Sequence, residues 1–433
     1  MDIKTMIEKK RNKKELTLEE IKIFVGKYNS GEITEAQAGA LLSYIYTAGL
    51  TEDEIIGFAK SMADLGEKIS YTDIHQEVLN KDSTGGVGDK GTVILLPIIA
   101  ALGIPVAKVS SRGMGVTGGT IDKLESIPGY RTDLSVTEFK DKIQKIGVGV
   151  INELENLNPT ESKIYRLRTQ IGCGDCIPII AASLLSINLS TGSNKIAFEI
   201  TYGTGSYIKN KEQARKLAKV LKIVGKKLDK EIMCVITNMD EPLGYAVGHN
   251  LEIIETINAL KGRMSDDLKE VTVAIGSCMV AMATKAKNPK AGEKLIKTVL
   301  EDGSAFNKFV QMVEEQGGNS EYIENPDLFS KAKYIMPVFS TGDGYISQIN
   351  SDILGSIAVY LGAGRMHDEN KIDREAGIVL AKKIGDAVKS GEIIAYIHTN
   401  DESKVVSATK NLEEAFKYST KKPIQRSRVI EII

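Results

Sequence analysis

The 433-residue chain has little histidine, little cysteine, no excess of charge of either sign and no long apolar run. Each shortage excludes something. The four histidines are His75, His249, His367 and His398, and the single CxxC, Cys173-Gly-Asp-Cys176, has neither a second cysteine pair nor a histidine at zinc-ligand spacing. It reads as ordinary reduced thiols near a helix start, and four cysteines in so long a chain make no disulfide scaffold. Lys+Arg 56 against Asp+Glu 57 gives a formal charge of −1, so no global field draws nucleic acid or an anionic membrane. Any anion site must be built locally. The opening stretch, MDIKTMIEKKRNKKELTLEE, has charges where a signal peptide needs an apolar core. The most apolar run, Val93 to Ala107, is cut by Pro97, Gly103 and Pro105, short of the roughly 20 residues of a membrane span. A cytoplasmic protein is expected.

What the chain does have is ordered patterning. In residues 1–67, three segments with apolar residues at helical spacing each begin with Thr and an acidic residue close behind and end at glycine, which predicts a helical bundle. From about residue 78, apolar segments and Gly-rich turns alternate with helical stretches, the signature of an α/β domain with a mainly parallel sheet. Residues 160–192 turn helical again before NKIAFEIT resumes strand. The expected architecture is therefore a small all-helical domain in two pieces, 1–67 plus 160–192, and a larger α/β domain, 68–159 plus 193–330. A β-rich α+β part, 331–433, follows, with short alternating runs punctuated by Gly-Asp.

The chemistry concentrates in Asn80-Lys-Asp-Ser-Thr-Gly-Gly-Val-Gly-Asp-Lys-Gly-Thr92. Gly86 to Gly91 formally matches G-x-G-x-x-G, but HQEVLN is a weak first strand and no acidic residue lies near position 111 to hold a ribose. A phosphate cradle is the simpler reading. Glycines let backbone N–H groups approach an oxyanion, Ser83, Thr84 and Thr92 add hydroxyls, Lys81 adds charge, and a following helix adds its dipole. A second loop, KVSSRGMGVTGGTIDKLESIPG from Lys108 to Gly129, supplies another cation, paired serines and Thr120. Both would follow parallel strands and so emerge on one edge of the sheet.

STGGVGDK, SSRGMGVTGGTIDKLESIPG and EPLGYAVGHNLEIIE together closely resemble the thymidine and pyrimidine-nucleoside phosphorylases, a likeness that runs over essentially the whole chain. The resemblance implies a homodimeric pentosyltransferase of nucleoside salvage, with orthophosphate and a nucleoside as substrates and no organic cofactor. Carried onto matching positions, it implies that phosphate is held by Lys81, Ser83, Lys108, Ser110 and Thr120 with Thr92 assisting, and that Arg168 and Ser183 reach the base. Some members hold a structural monovalent cation, potassium, which would place Gly88, Leu243, Ala246 and Glu255 around it here.

The departures gather on the base side. Asp82 stands where the family has a histidine between the lysine and serine of the first loop, Val116 replaces a second histidine, and Ile187 and Tyr202 stand where lysines are usual. Pyrimidine carbonyls ask for donors, and an ionised aspartate only accepts. Such a carboxylate about 4 Å from a developing base anion would cost roughly 4 kcal/mol at an effective dielectric near 20. Asp82 is thus a protonated general acid, a reader of donors on a non-standard or non-pyrimidine base, or a loop carboxylate paired with Lys81 or Lys90. Arg112 is equally a salt-bridge former or a site residue, Asp122 and Glu125 organise the loop, His249 is a core or surface residue or a neighbour of the cation region, and Arg365 belongs to packing or a turn. Phosphorolysis of a nucleoside to free base and α-pentose 1-phosphate is the expected function. The alternatives are the same reaction on another base, and a silent phosphate- or nucleoside-binding homologue.

Overall fold

The computed structural model describes residues 2–113, 118–152, 157–365, 371–424 and 426–433. The chain opens with α1 (Ile3–Arg11), α2 (Leu18–Ser30), α3 (Glu35–Ala48) and α4 (Glu52–Ala63). The last three start in the same way. Thr17, Thr34 and Thr51 each accept the backbone N–H three residues on, and Glu20, Gln37 and Glu54 reach back to the threonine N–H, about 1 kcal/mol per cap. The stretch notable in sequence only for its charges forms α1, and its buried Lys10 donates to Glu54 Oε1 at 2.9 Å, tying it to the start of α4.

Strands and helices then alternate: β1 (Leu79–Ser83), α5 (Gly91–Ala101), β2 (Val106–Ser110), the short α6 (Thr120–Leu124), α7 (Val136–Ile146), β3 (Val148–Asn152), α8 (Pro159–Gln170), α9 (Ile177–Thr191), β4 (Lys195–Tyr202), α10 (Lys211–Lys227) and β5 (Glu231–Asn238). The strands form a parallel sheet in the order β5-β4-β1-β2-β3. α8 and α9 pack back onto α2, α3 and α4, and their apolar residues join one core with the first helices.

Strand alternation distributes the sheet between two cores. Ile196, Phe198 and Ile200 of β4 and Ile232, Cys234 and Ile236 of β5 face α9 and α10, while Ala197 and Val235 face the layer of α5. That second layer also holds α11 (His249–Leu260) and α12 (Asp266–Met282), which follow a two-residue strand, β6 (Ala246–Val247).

The C-terminal part has the expected β-rich character. β7 (Tyr334–Phe339), β8 (Gly344–Ile349), β9 (Gly377–Leu380), β10 (Ala387–Val388), β11 (Ile393–Thr399) and β12 (Phe416–Ser419) form two small antiparallel sheets with their own core, and β6 joins one of them through β9. The last strand, β13 (Val429–Ile432), returns to the central sheet and pairs antiparallel with β5. The sheet is therefore mixed, mainly parallel, with its antiparallel strand at an edge.

Candidate active site

β1 and β2 are neighbours and parallel, so the loops that follow them leave the same edge of the sheet. They meet α8 and α9 across a cleft of about 150 Å³ lined by both loops and both helices. Ser83, Thr92, Lys108, Ser110 and Thr120 all line it. Ser83 Oγ donates to Asp89 Oδ2 at 2.9 Å and accepts the Gly85 N–H at 3.1 Å, so the hydroxyl also shapes the glycine turn. Burial acts to raise Asp89, but Lys81 and Lys123 outweigh it and hold the carboxyl below its ordinary range.

Lys81 does not line the cleft. Strand alternation puts it on the face of Leu79, toward α5, where it is fully buried with Nζ 2.8 Å from both Thr92 Oγ1 and Glu199 Oε2. Burial lowers the pKa of its ammonium, yet Glu199 and Asp89 raise it beyond the ordinary value, so the charge is kept. Resemblance alone placed Lys81 among direct phosphate ligands. Here it sits one layer behind, braced against Thr92.

The same alternation sends Asp82 to the opposite face, toward α9. It therefore pairs with neither Lys81 nor Lys90, as one reading of the loop had it, but with Lys108, whose Nζ lies 2.9 Å from Oδ1. The Ser83 N–H also reaches Oδ1 at 2.9 Å, and Asn188 Nδ2 reaches Oδ2 at 3.2 Å. Asn188 in turn accepts from Asn80 Nδ2 at 2.6 Å. Each of these partners of Asp82 donates, the pattern of a carboxylate acting only as acceptor.

Two helix faces make the other wall. Glu161, Tyr165 and Arg168 recur at i, i+4 and i+7 along α8, and Ile180, Ser183, Leu184 and Ile187 at i, i+3, i+4 and i+7 along α9. Arg168 is 7 % exposed and Ser183 2 %. Arg168 Nε and Nη1 and Ser183 Oγ have no hydrogen-bond partner among the described residues. Buried donors left open are costly, which points to a ligand that meets them. Ile187 lies beside them as the sequence led one to expect, and Val116 falls outside the described residues.

Tyr202 is a correction. Alternation along β4 puts it with Ile200, packed against the core shared with α9 and α10, and away from the cleft. The turn after it, closed by Gly203 N–H to Ile208 O at 2.9 Å, brings Tyr207 to the cleft instead. Burial pushes the Tyr165 phenol well above its ordinary value, with Tyr207 adding to the shift, so it stays a protonated O–H group. Neither Tyr165 nor Tyr207 was singled out in sequence. The i, i+3 spacing of Tyr165 and Arg168 was a usable signal, while the Asn80–Asn188 contact, 108 positions apart, had none.

The charged residues of the second loop act as expected or more strongly, and Arg112 is among those that line the cleft. Arg112 pairs with Glu125, Nη2 to Oε1 at 2.8 Å, and with Asp122 at 3.4 Å. Asp122 also accepts the Gly113 N–H at 2.7 Å and Arg365 Nη2 at 2.9 Å, so Arg365 links the C-terminal part to the second loop. His249 is a core residue. Cys173 and Cys176 are free and buried, and burial pushes the Cys176 thiol up to about 11.

Leu243, Ala246 and Glu255 come together as the cation set required, with Gly88 packed against the Ala246 and Leu243 carbonyls. They do not present an open site. Lys90 points its ammonium group into them, donating to Leu243 O and to Ala246 O at 3.2 Å and pairing with Glu255 Oε2 at 3.0 Å. The residues present thus fit a fixed ammonium and not an added metal ion.

A helical bundle and an α/β sheet facing each other across such a cleft define a class of glycosyl transferases. Residues 4–66 match the family model described as glycosyl transferase family, helical bundle domain, and 75–306 match its a/b domain. Residues 345–419 match a pyrimidine nucleoside phosphorylase C-terminal domain. The solved anthranilate phosphoribosyltransferase of Thermus thermophilus shares the fold, with a TM-score of 0.59 at 18% identity over 72% of this chain and 99% of that one. Within the class, the chain is 38% identical over 425 residues, 98% of each protein, to a pyrimidine-nucleoside phosphorylase of Geobacillus stearothermophilus. It is 39% identical over 398 residues, 92% of each, to that of Bacillus subtilis. The chain belongs to the pyrimidine-nucleoside phosphorylase family.

Proposed function

We propose that the protein is a nucleoside phosphorylase, a pentosyltransferase that splits the N-glycosidic bond of a nucleoside with orthophosphate. The observation that carries this reading is the cleft itself: Lys108, Ser83, Ser110 and Thr120 on one side face the open donors of Arg168 and Ser183 on the other. A phosphate oxygen attacks C1′, the bond from C1′ to the base breaks, and its electron pair leaves with the base. Hydroxyls and the Lys108 ammonium orient the phosphate. Arg168 and Ser183 N–H and O–H groups meet the charge that develops on the base, and the leaving base needs no proton from Asp82. Lys81 acts from behind by fixing Thr92.

Pyrimidine nucleosides are the family's substrates and the first to test, with ribose or 2-deoxyribose open. The base subsite is less rich in donors than the family pattern, since Ile187 lines it and Asp82 is engaged with Lys108. A base other than uracil or thymine is the second reading this supports. The active form in this reading is a cytoplasmic homodimer; the four free cysteines support a reducing compartment. Phosphate-dependent release of free base from a panel of uridine, thymidine, cytidine, purine and modified nucleosides tests the proposal. Turnover of at least one supports it, and binding of phosphate without turnover of any would move the protein to a binding role. Light scattering tests the dimer.

A further inference from the structure

The set Leu243, Ala246 and Glu255 holds a charged group already, and that group belongs to the chain. Lys90 is fully buried, and its ammonium meets two backbone carbonyls and one carboxylate. The surroundings are built for a fixed positive charge. Glu255 is oriented by the N–H groups of Tyr245 at 2.7 Å and Ala246 at 2.9 Å. Gly244, at φ +70°, leaves no room for a Cβ, which would stand 2.5 Å from Glu255 Oε1.

The rest of the turn is treated in the same way. Lys383 Nζ donates to Pro242 O at 2.6 Å and Gly244 O at 2.7 Å, and Arg428 Nη1 donates to Asn238 O at 3.2 Å and Glu241 O at 3.1 Å. Carbonyls that converge in this way ask for a cation, and each is met by a side chain. A second positive charge cannot share three oxygens with an ammonium in contact with all of them.

We propose that Lys90 is a tethered replacement for the monovalent cation that the resemblance implies for some members of this family, so that this protein keeps the turn at 243–246 joined to its first glycine loop without drawing an ion from solution. Lys90 follows Asp89 directly and precedes α5, so the contact fixes the loop end that carries Asp89 and Thr92. This assignment stands whether or not the protein turns over nucleosides, because its test reads stability and ion binding.

The test compares thermal unfolding in potassium chloride and tetramethylammonium chloride at equal ionic strength, for the parent and for Lys90→Thr, which removes the ammonium and leaves a hydroxyl oxygen. The parent is expected to show the same Tm in both salts. The variant is expected to lose about 5 °C in tetramethylammonium and to regain stability with potassium in a saturable way. A parent stabilised by potassium over tetramethylammonium overturns the proposal, and so does a folded variant that potassium does not rescue. Should the variant not fold, crystals of the parent soaked in thallium(I) decide: no anomalous peak at the Leu243 and Ala246 carbonyls supports the replacement, and a peak there with Lys90 displaced overturns it.

Discussion

Lys108 Nζ lies 2.9 Å from Asp82 Oδ1, so a cation that the phosphate reading needs is held by the residue that departs most from the family pattern. The carboxylate and an incoming phosphate compete for one ammonium. Asp82→Asn removes the competitor and keeps the shape, and a lower phosphate KM is expected, by roughly tenfold, or about 1.4 kcal/mol. Initial rates against phosphate concentration check it. An unchanged or higher KM would count against Lys108 as a phosphate ligand.

The open donors of Arg168 and Ser183 give a prediction with two readouts. A group whose partner is the substrate contributes to turnover and little to folding, since its burial without a partner already costs stability. Ser183→Ala should lower kcat/KM for the nucleoside about a hundredfold and leave Tm within about 2 °C. A large loss of Tm with modest kinetic change would make Ser183 a structural residue.

Asp82 and Ile187 line the same cleft, so the base subsite can be pushed toward donors by changing both. Asp82→His with Ile187→Lys should raise uridine and thymidine phosphorolysis by roughly tenfold or more over the parent. A folded double variant with no gain would remove these positions as the cause of any altered base preference.

His249 makes the stability depend on pH. It is buried at the start of α11, neither ring nitrogen has a partner among the described residues, and burial pushes the imidazole from 6.5 down to about 4, against the pull of Asp122 and Glu252. The unfolded chain takes a proton near pH 6.5 that the folded chain refuses until about pH 4. Its contribution is therefore full above pH 6.5 and is lost as pH falls from there toward 4, by about 3 kcal/mol. Denaturant titrations at pH 7 and pH 4.5 should show a smaller loss for His249→Leu than for the parent. Equal losses would mean that another group sets this slope.

Much of the fold was legible because its signals are local. Threonine caps, glycine stops and helical spacing mark α2, α3 and α4, and alternating apolar segments mark the parallel sheet. α1 was hidden by its charges, because Lys10 is buried only through Glu54, 44 positions away. The return of β13 to β5 is likewise a long-range pairing that a four-residue strand does not announce.

The sequence by itself singled out Ser83 and Ser110 at the ends of β1 and β2, Arg168 and Ser183 on α8 and α9, and the departures of the base side from the family at Asp82 and Ile187. Only the tertiary structure decided what the charges do. Strand alternation separates Lys81 from Asp82 and sends them to opposite faces of the sheet, to Glu199 and to Lys108. Loop packing brings Lys90 to carbonyls more than 150 positions away and leaves no open cation site among them. Ion pairs between distant segments depend on which face and which turn each side chain occupies, and one chain's residue order does not contain that geometry.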